Sequence, residues 1–111
     1  MGAGAPPSLA EAMNRLWAQY LPQIEERVRV LEQAAASVAD GSLTADLCTQ
    51  ATAAGHKLAG VLGTFGLQDG TVLAREVEEI YADGVEKVSA ASGRLAEVAS
   101  MLRMMIATRK S

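Results

Sequence analysis

Apolar residues along this chain recur at spacings of three and four. Nowhere do β-branched or aromatic residues alternate with polar ones at period two. That is the pattern of amphipathic helices, not of strands. Ser8-Leu9-Ala10-Glu11 has the form of a capping box, in which Ser8 and Glu11 satisfy each other's backbone donors. A short helix follows, with Leu9, Met13, Leu16 and Tyr20 on one face. Pro22 ends it and suits the first turn of the next. That second helix carries Ile24, Val28, Leu31, Ala35 and Val38 and stops at Asp40-Gly41, with Gly41 as the left-handed residue after its end. Ser42 or Thr44 caps a third helix reaching about Phe65, and Gly66 stops it. Asp69 caps a fourth, which carries Val72, Leu73, Val77 and Ile80. Asp83-Gly84 breaks that one, and Asp83 with Glu86 caps a fifth. Its stripe is Val85, Val88, Ser92, Leu95, Ala99, Leu102 and Ile106.

The loops are short, and short loops force antiparallel neighbours. The expected fold is therefore all-α: an up-down antiparallel four-helix bundle with a short extra helix at the N-terminus. Residues 1–7, rich in Gly, Ala and Pro, are expected to be a disordered segment, and residues 8–111 a single helical-bundle domain. Half of the 111 residues are apolar but only 4% are aromatic, so the core is aliphatic. The net charge of −3 argues against a nucleic-acid partner, which calls for a basic face. One cysteine excludes an internal disulfide and fits a reducing compartment. No apolar run approaches the ~18 residues of a membrane span, and the start has neither the basic nor the apolar region of a signal peptide. A cytoplasmic domain that touches no membrane is expected.

The third helix carries the chemistry. Its stripe is Leu47, Ala51, Ala54, Leu58, Val61 and Phe65. With Leu47 at zero and about 100° per residue, these fall within roughly 40° of zero and His56 at about 180°. Thr52, Ala59, Gly60 and Gly63 lie within about 60° of His56 on the same wheel. None is charged and none is larger than threonine, where an exposed helix face would ordinarily carry Glu, Lys, Gln and Arg. Each glycine inside a helix costs about 1 kcal/mol relative to alanine, so something must offset Gly55, Gly60 and Gly63. Gly55, at about 80°, can serve packing inside the bundle. Gly60 and Gly63 share the face of His56 and suit a partner approaching from outside. The pattern is a smooth platform with one nucleophile projecting from it. A metal site is not expected, because Ala59 and Gly60 stand where a second ligand would be needed on the same face. A hydrolytic role is disfavoured because no acid stands near His56 in sequence to orient its ring.

The stretch Ala54-Gly55-His56-Lys57-Leu58-Ala59-Gly60-Val61-Leu62-Gly63-Thr64-Phe65-Gly66-Leu67 resembles the histidine-containing phosphotransfer (HPt) domain family. That family has a His, an apolar residue two on, a Gly four on and a Gly ten on. His56, Leu58, Gly60 and Gly66 stand at those places. The downstream Leu73…Glu78 is similar to the family's Leu-rich helix ending near a glutamate. Many members carry Lys three after the His, where Ala59 stands here. Lys57, adjacent to the His, is the candidate cation for steadying a phosphoryl group.

The resemblance implies a phosphorelay intermediate. His56 would take a phosphoryl group from a receiver-domain aspartate and pass it to another receiver. The partner would be the receiver domain of a response regulator or a hybrid histidine kinase, docking on Thr52, Ala59, Gly60 and Gly63. The chain would bind no cofactor itself, Mg²⁺ being held by the receiver. It would be a phosphocarrier without autokinase activity, since there is no room for an ATP-binding domain. A monomer is expected, because the platform is small and the bundle closes its own core. Elsewhere, Cys48 is expected to be a small packed residue, Trp17 and Tyr20 to anchor the first helix, and Arg109-Lys110 to favour a helix C-terminus. The competing reading is a non-catalytic helical adaptor that binds a receiver or another signalling partner, with His56 incidental.

Overall fold

A computed structural model describes residues 8–109; the expected disorder of residues 1–7, and Lys110, lie outside the described residues. The elements are α1 (Leu9–Asp40), α2 (Ala45–Thr64), α3 (Gln68–Ala82), a single turn α4 (Val85–Val88), a 3₁₀ turn (Ser89–Ala91) and α5 (Ser92–Arg109). There is no strand among the described residues. α1 packs against α2 and α5, and α3 against the same two. The four long helices therefore close a ring, and the short connections make its neighbours antiparallel. The core is aliphatic, as expected. Ile24, Val28 and Leu31 of α1 share one buried core with Leu58 and Leu62 of α2, Val77 of α3, and Leu95, Leu102 and Ile106 of α5, all almost fully buried.

The helix ends follow the sequence in part. Ser8 and Glu11 form the reciprocal capping box. Gly41 adopts φ 77°, and the Ser42 N–H donates to the Ser37 carbonyl at 2.8 Å, a Schellman-type stop. Thr44, not Ser42, caps α2 through Oγ1 on the Leu47 N–H at 3.0 Å. Gly66, also at φ 77°, turns the chain out of α2. The two aspartate caps do not form. α3 begins at Gln68 with Leu67 as its cap residue, leaving Asp69 in the first turn, and α4 begins after Gly84 with no side-chain cap. In the first turn Asp69 still complements the helix dipole.

Three larger expectations are corrected. The extra N-terminal helix is not separate: α1 runs through Pro22 without a break. Proline leaves the carbonyl four residues earlier without its donor. Here that residue, Ala18, is exposed like Pro22 itself, so water reaches the freed carbonyl, and burial of Trp17 and Ile24 on either side offsets the loss. The face of this segment differs as well. Trp17 is the buried residue, while Leu9, Leu16 and Tyr20 are exposed. Trp17 packs edge-on against Phe65 with centroids 5.2 Å apart, and the Arg109 guanidinium lies 5.0 Å over the indole. Second, the last helix is interrupted by the 3₁₀ turn, where Ser89, Ser92 and Gly93 weaken the regular ladder. Third, the buried arc of α2 is Cys48, Ala51, Ala54, Gly55, Leu58, Ala59 and Leu62, with Leu47 and Val61 only half-buried. That arc is rotated by roughly 60° from the expected stripe at 100° per residue, because α3 covers one flank of α2. In α3 likewise, Ala74 and Tyr81 are buried with Leu73 and Val77, and Val72 is exposed.

Candidate functional site

His56 projects from the middle of α2 with its side chain 75% exposed. Its Nδ1 lies 2.9 Å from Oε2 of Glu78, which reaches across from α3 and is itself 28% exposed. An ionised carboxylate only accepts hydrogen bonds, so Nδ1 carries the proton and donates it. The lone pair of the neutral ring is then on Nε2, the ring nitrogen that Glu78 does not engage. A carboxylate that fixes the tautomer of a reacting histidine in this way is a recurring arrangement in nucleophilic and metal sites. The acid that the local sequence lacks is supplied from 22 positions further along the chain. Its signal lay in the quoted Leu73…Glu78 stretch, but no sequence spacing links it to His56.

The other expected site residues divide. Gly60 is exposed, and a Cβ there would meet nothing within 4 Å. Lys57 is exposed and no carboxylate among the described residues pairs with it. Thr52 is half-buried, and its hydroxyl donates to the Cys48 carbonyl at 2.9 Å. Ala59 does not belong to the outer face: it is 5% exposed, and its carbonyl accepts from Thr71 Oγ1 at 2.9 Å. Gly63 is half-buried, and a Cβ there would lie 3.2 Å from Thr71 Oγ1. A single-helix wheel puts both on the platform because it centres on the apolar stripe and not on the arc that is buried. α3 packs over that side of α2. The open surface around His56 instead consists of Ala53, Lys57, Gly60 and Thr64, all exposed.

A groove of about 690 Å³ runs beside His56, bordered by Thr49, Thr52, Ala53, Lys57, Glu78 and Val85. Its floor is inert. Cys48 is buried and its thiol donates to the Tyr81 carbonyl at 3.2 Å. Burial pushes that thiol's pKa up, so it stays protonated and is a poor nucleophile. The Tyr81 phenol, 2% exposed, is pushed up to about 12, by burial first and then by the neighbouring Cys48. The site thus brings together an exposed imidazole, a carboxylate from α3 and, next to His56 in sequence, a lysine that pairs with no carboxylate among the described residues.

The model of the Hpt domain family matches residues 15–108. This chain belongs to the Hpt domain family, the histidine phosphotransfer domains of phosphorelays, which carry phosphoryl groups and interact with receiver domains. It is also similar to Protein RcaC of Microchaete diplosiphon, with 36% identity over 66 residues. Those residues are 60% of this chain and 10% of that protein, so the chain spans only a small part of its relative. No solved structure matches the chain. No described helix is long and apolar enough to cross a membrane.

Proposed function

We propose that His56 accepts a phosphoryl group on Nε2 from the aspartyl phosphate of a receiver domain and passes it to the aspartate of another receiver. The observation that carries this reading is the His56–Glu78 pair, which leaves a free lone pair on Nε2 of an exposed ring above a surface of small side chains. In the forward step the Nε2 lone pair forms the N–P bond while the P–O bond to aspartate breaks, and the aspartate carboxylate leaves with the electron pair. The ring keeps its Nδ1 proton and becomes cationic, and the Glu78 carboxylate 2.9 Å away offsets that charge. The second transfer is the reverse of the first, onto a different carboxylate.

Phosphoryl transfer needs in-line positioning and neutralisation of the equatorial oxygens more than covalent machinery. The receiver would supply Mg²⁺ for that neutralisation. Lys57, flexible and unpaired among the described residues, would add a second cation from this side. Gly60 and the exposed rim of Thr52 remain the docking positions. Gly63 contributes only its outer edge, and buried Ala59 contributes through its packing alone.

The test is transfer from a phosphorylated receiver, in the presence of Mg²⁺, followed by the stability of the label. Wild type is expected to take up acid-labile, base-stable phosphate. His56→Gln is expected to take up none while keeping its helical circular dichroism. Its stability should shift by less than about 0.5 kcal/mol, as for other exposed positions. Unreduced labelling of His56→Gln would remove His56 as the acceptor. A wild-type chain that takes label from no receiver in a panel, yet binds one, would be the adaptor.

A further inference from the structure

Gly55 is buried where α2 meets α3. A Cβ at this position would stand 3.0 Å from the Ala74 carbonyl oxygen, 3.1 Å from the Glu78 nitrogen and 3.2 Å from the Glu78 Cα. All three are backbone atoms, so no side-chain rotation relieves the contact. Any side chain here requires α3 to move away from α2. The missing Cβ is what lets the backbone of Glu78 lie directly against the residue that precedes His56. From there the Glu78 carboxylate reaches Nδ1 of His56 at 2.9 Å.

We propose that Gly55 is a positioning residue: by admitting the Glu78 backbone against α2, it holds His56 in the Nδ1–H tautomer and so keeps the lone pair on Nε2. The inference rests on the reading of His56 as the phosphoryl acceptor and extends it to a residue that touches no reacting atom. Its chemistry is specific. In free histidine the proton of the neutral ring resides mostly on Nε2, the wrong nitrogen for a nucleophile that reacts there. The two nitrogens are distinguished only by the partner that one of them finds. A hydrogen bond of this kind weakens steeply as distance and angle depart from ideal. A displacement of α3 by a few tenths of an ångström, with its attendant tilt, acts directly on that bond. The glycine works against the helix that contains it, and the close approach is what its absent side chain gains.

The chain has one histidine, so long-range ¹H–¹⁵N NMR of the ¹⁵N-labelled, unphosphorylated protein reads this tautomer without assignment. At a pH where the ring is neutral, wild type is expected to show a protonated Nδ1 and an unprotonated Nε2. Gly55→Ala and Glu78→Ala are each expected to move the ring toward the Nε2–H form. Combining them should add little to Glu78→Ala alone, because both act through one bond. Gly93→Ala, on an exposed position of α5 with nothing within 4 Å, should leave the tautomer as in wild type. Phosphorylation by phosphoramidate, which needs no receiver, should slow in Gly55→Ala by roughly three-fold or more, in step with the lost competent fraction.

A folded Gly55→Ala whose imidazole nitrogens read as in wild type overturns the proposal. Should Gly55→Ala not fold, Glu78→Asp carries the test. It withdraws the carboxylate by one methylene without touching the helix approach. Loss of the Nδ1–H form supports a bond limited by reach, and its retention overturns the proposal. Because the tautomer is read before any phosphate is added, a correct tautomer with no phosphoryl uptake would instead sink the proposed function.

Discussion

The two flanks of α2 beside His56 are built from the same kinds of residue and do opposite things. On one side Gly55, Ala59 and Gly63 face α3. Gly55 and Ala59 are buried, and Gly63 lies against Thr71. On the other side Ala53, Gly60 and Thr64 are exposed with Lys57, and Gly60 has open space where a Cβ would be. On the packed flank, smallness brings a second helix close enough to deliver Glu78. On the open flank it keeps the surface around the imidazole low, as the proposed docking requires. The run of small residues around His56 is therefore two surfaces interleaved at helical period. Only the tertiary contact separates them.

The largest expected effect breaks the comparison at Gly63. Glu at this position must displace Thr71, which lies 3.2 Å from the Cβ site and donates to the Ala59 carbonyl at 2.9 Å. Overpacking of this kind costs about 1–3 kcal/mol, more than the up to about 1 kcal/mol regained by removing a helical glycine. Gly63→Glu is expected to be less stable than wild type, with a melting temperature lower by several degrees, since about 1 kcal/mol shifts a domain of this size by roughly 4–8 °C. A melting temperature at or above that of wild type would place Gly63 on the open flank with Gly60.

Gly60→Glu is the matched substitution on the other flank. Nothing stands within 4 Å of its Cβ site, so the helix gains up to about 1 kcal/mol and the chain should melt slightly higher. Receiver-dependent transfer should nonetheless slow, because a charged side chain one turn from His56 holds the two surfaces apart. Labelling by phosphoramidate should be largely spared. Equal slowing in both assays would show that the side chain disturbs His56 itself and not docking.

The two flanks also mark how far the sequence could be read. The bundle, the Ser8–Glu11 box and the Gly41 stop were legible because each depends on residues within one turn of one another. The exposure of His56 was legible because it lies far from the buried arc even after that arc is rotated by roughly 60°. The burial of Ala59 and the contact of Gly63 were not, because a single-helix wheel shows an apolar stripe but not how many neighbours the helix has. Small residues score as surface or core equally well. Glu78 escaped for a related reason: it meets His56 only after the chain has turned at Gly66, and the approach that joins them is carried by an absent side chain at Gly55. Continuity of α1 through Pro22 was hidden because proline's effect depends on whether the freed carbonyl faces water, which is a property of the packed molecule.

The smallest effect at neutral pH is expected at the far end of the packed flank, where the Tyr81 hydroxyl is buried with no hydrogen-bond partner. An unpaired buried hydroxyl is itself destabilising, so its removal is close to neutral or mildly favourable. Tyr81→Phe should alter stability at pH 7 by less than about 1 kcal/mol, and in the stabilising direction. The difference becomes visible in alkali. Burial, and then the neighbouring Cys48, raise the folded phenol to about 12 from an ordinary value of 10.0. The unfolded chain therefore loses this proton first as pH rises. Linkage makes the contribution to stability complete below about pH 10 and progressively lost between about pH 10 and 12. Wild type should lose stability over that range more steeply than Tyr81→Phe, in denaturant titrations run at matched pH on the two proteins. Parallel curves would mean that water reaches the phenol, and hence that the α2–α3 flank beneath the groove is not dry.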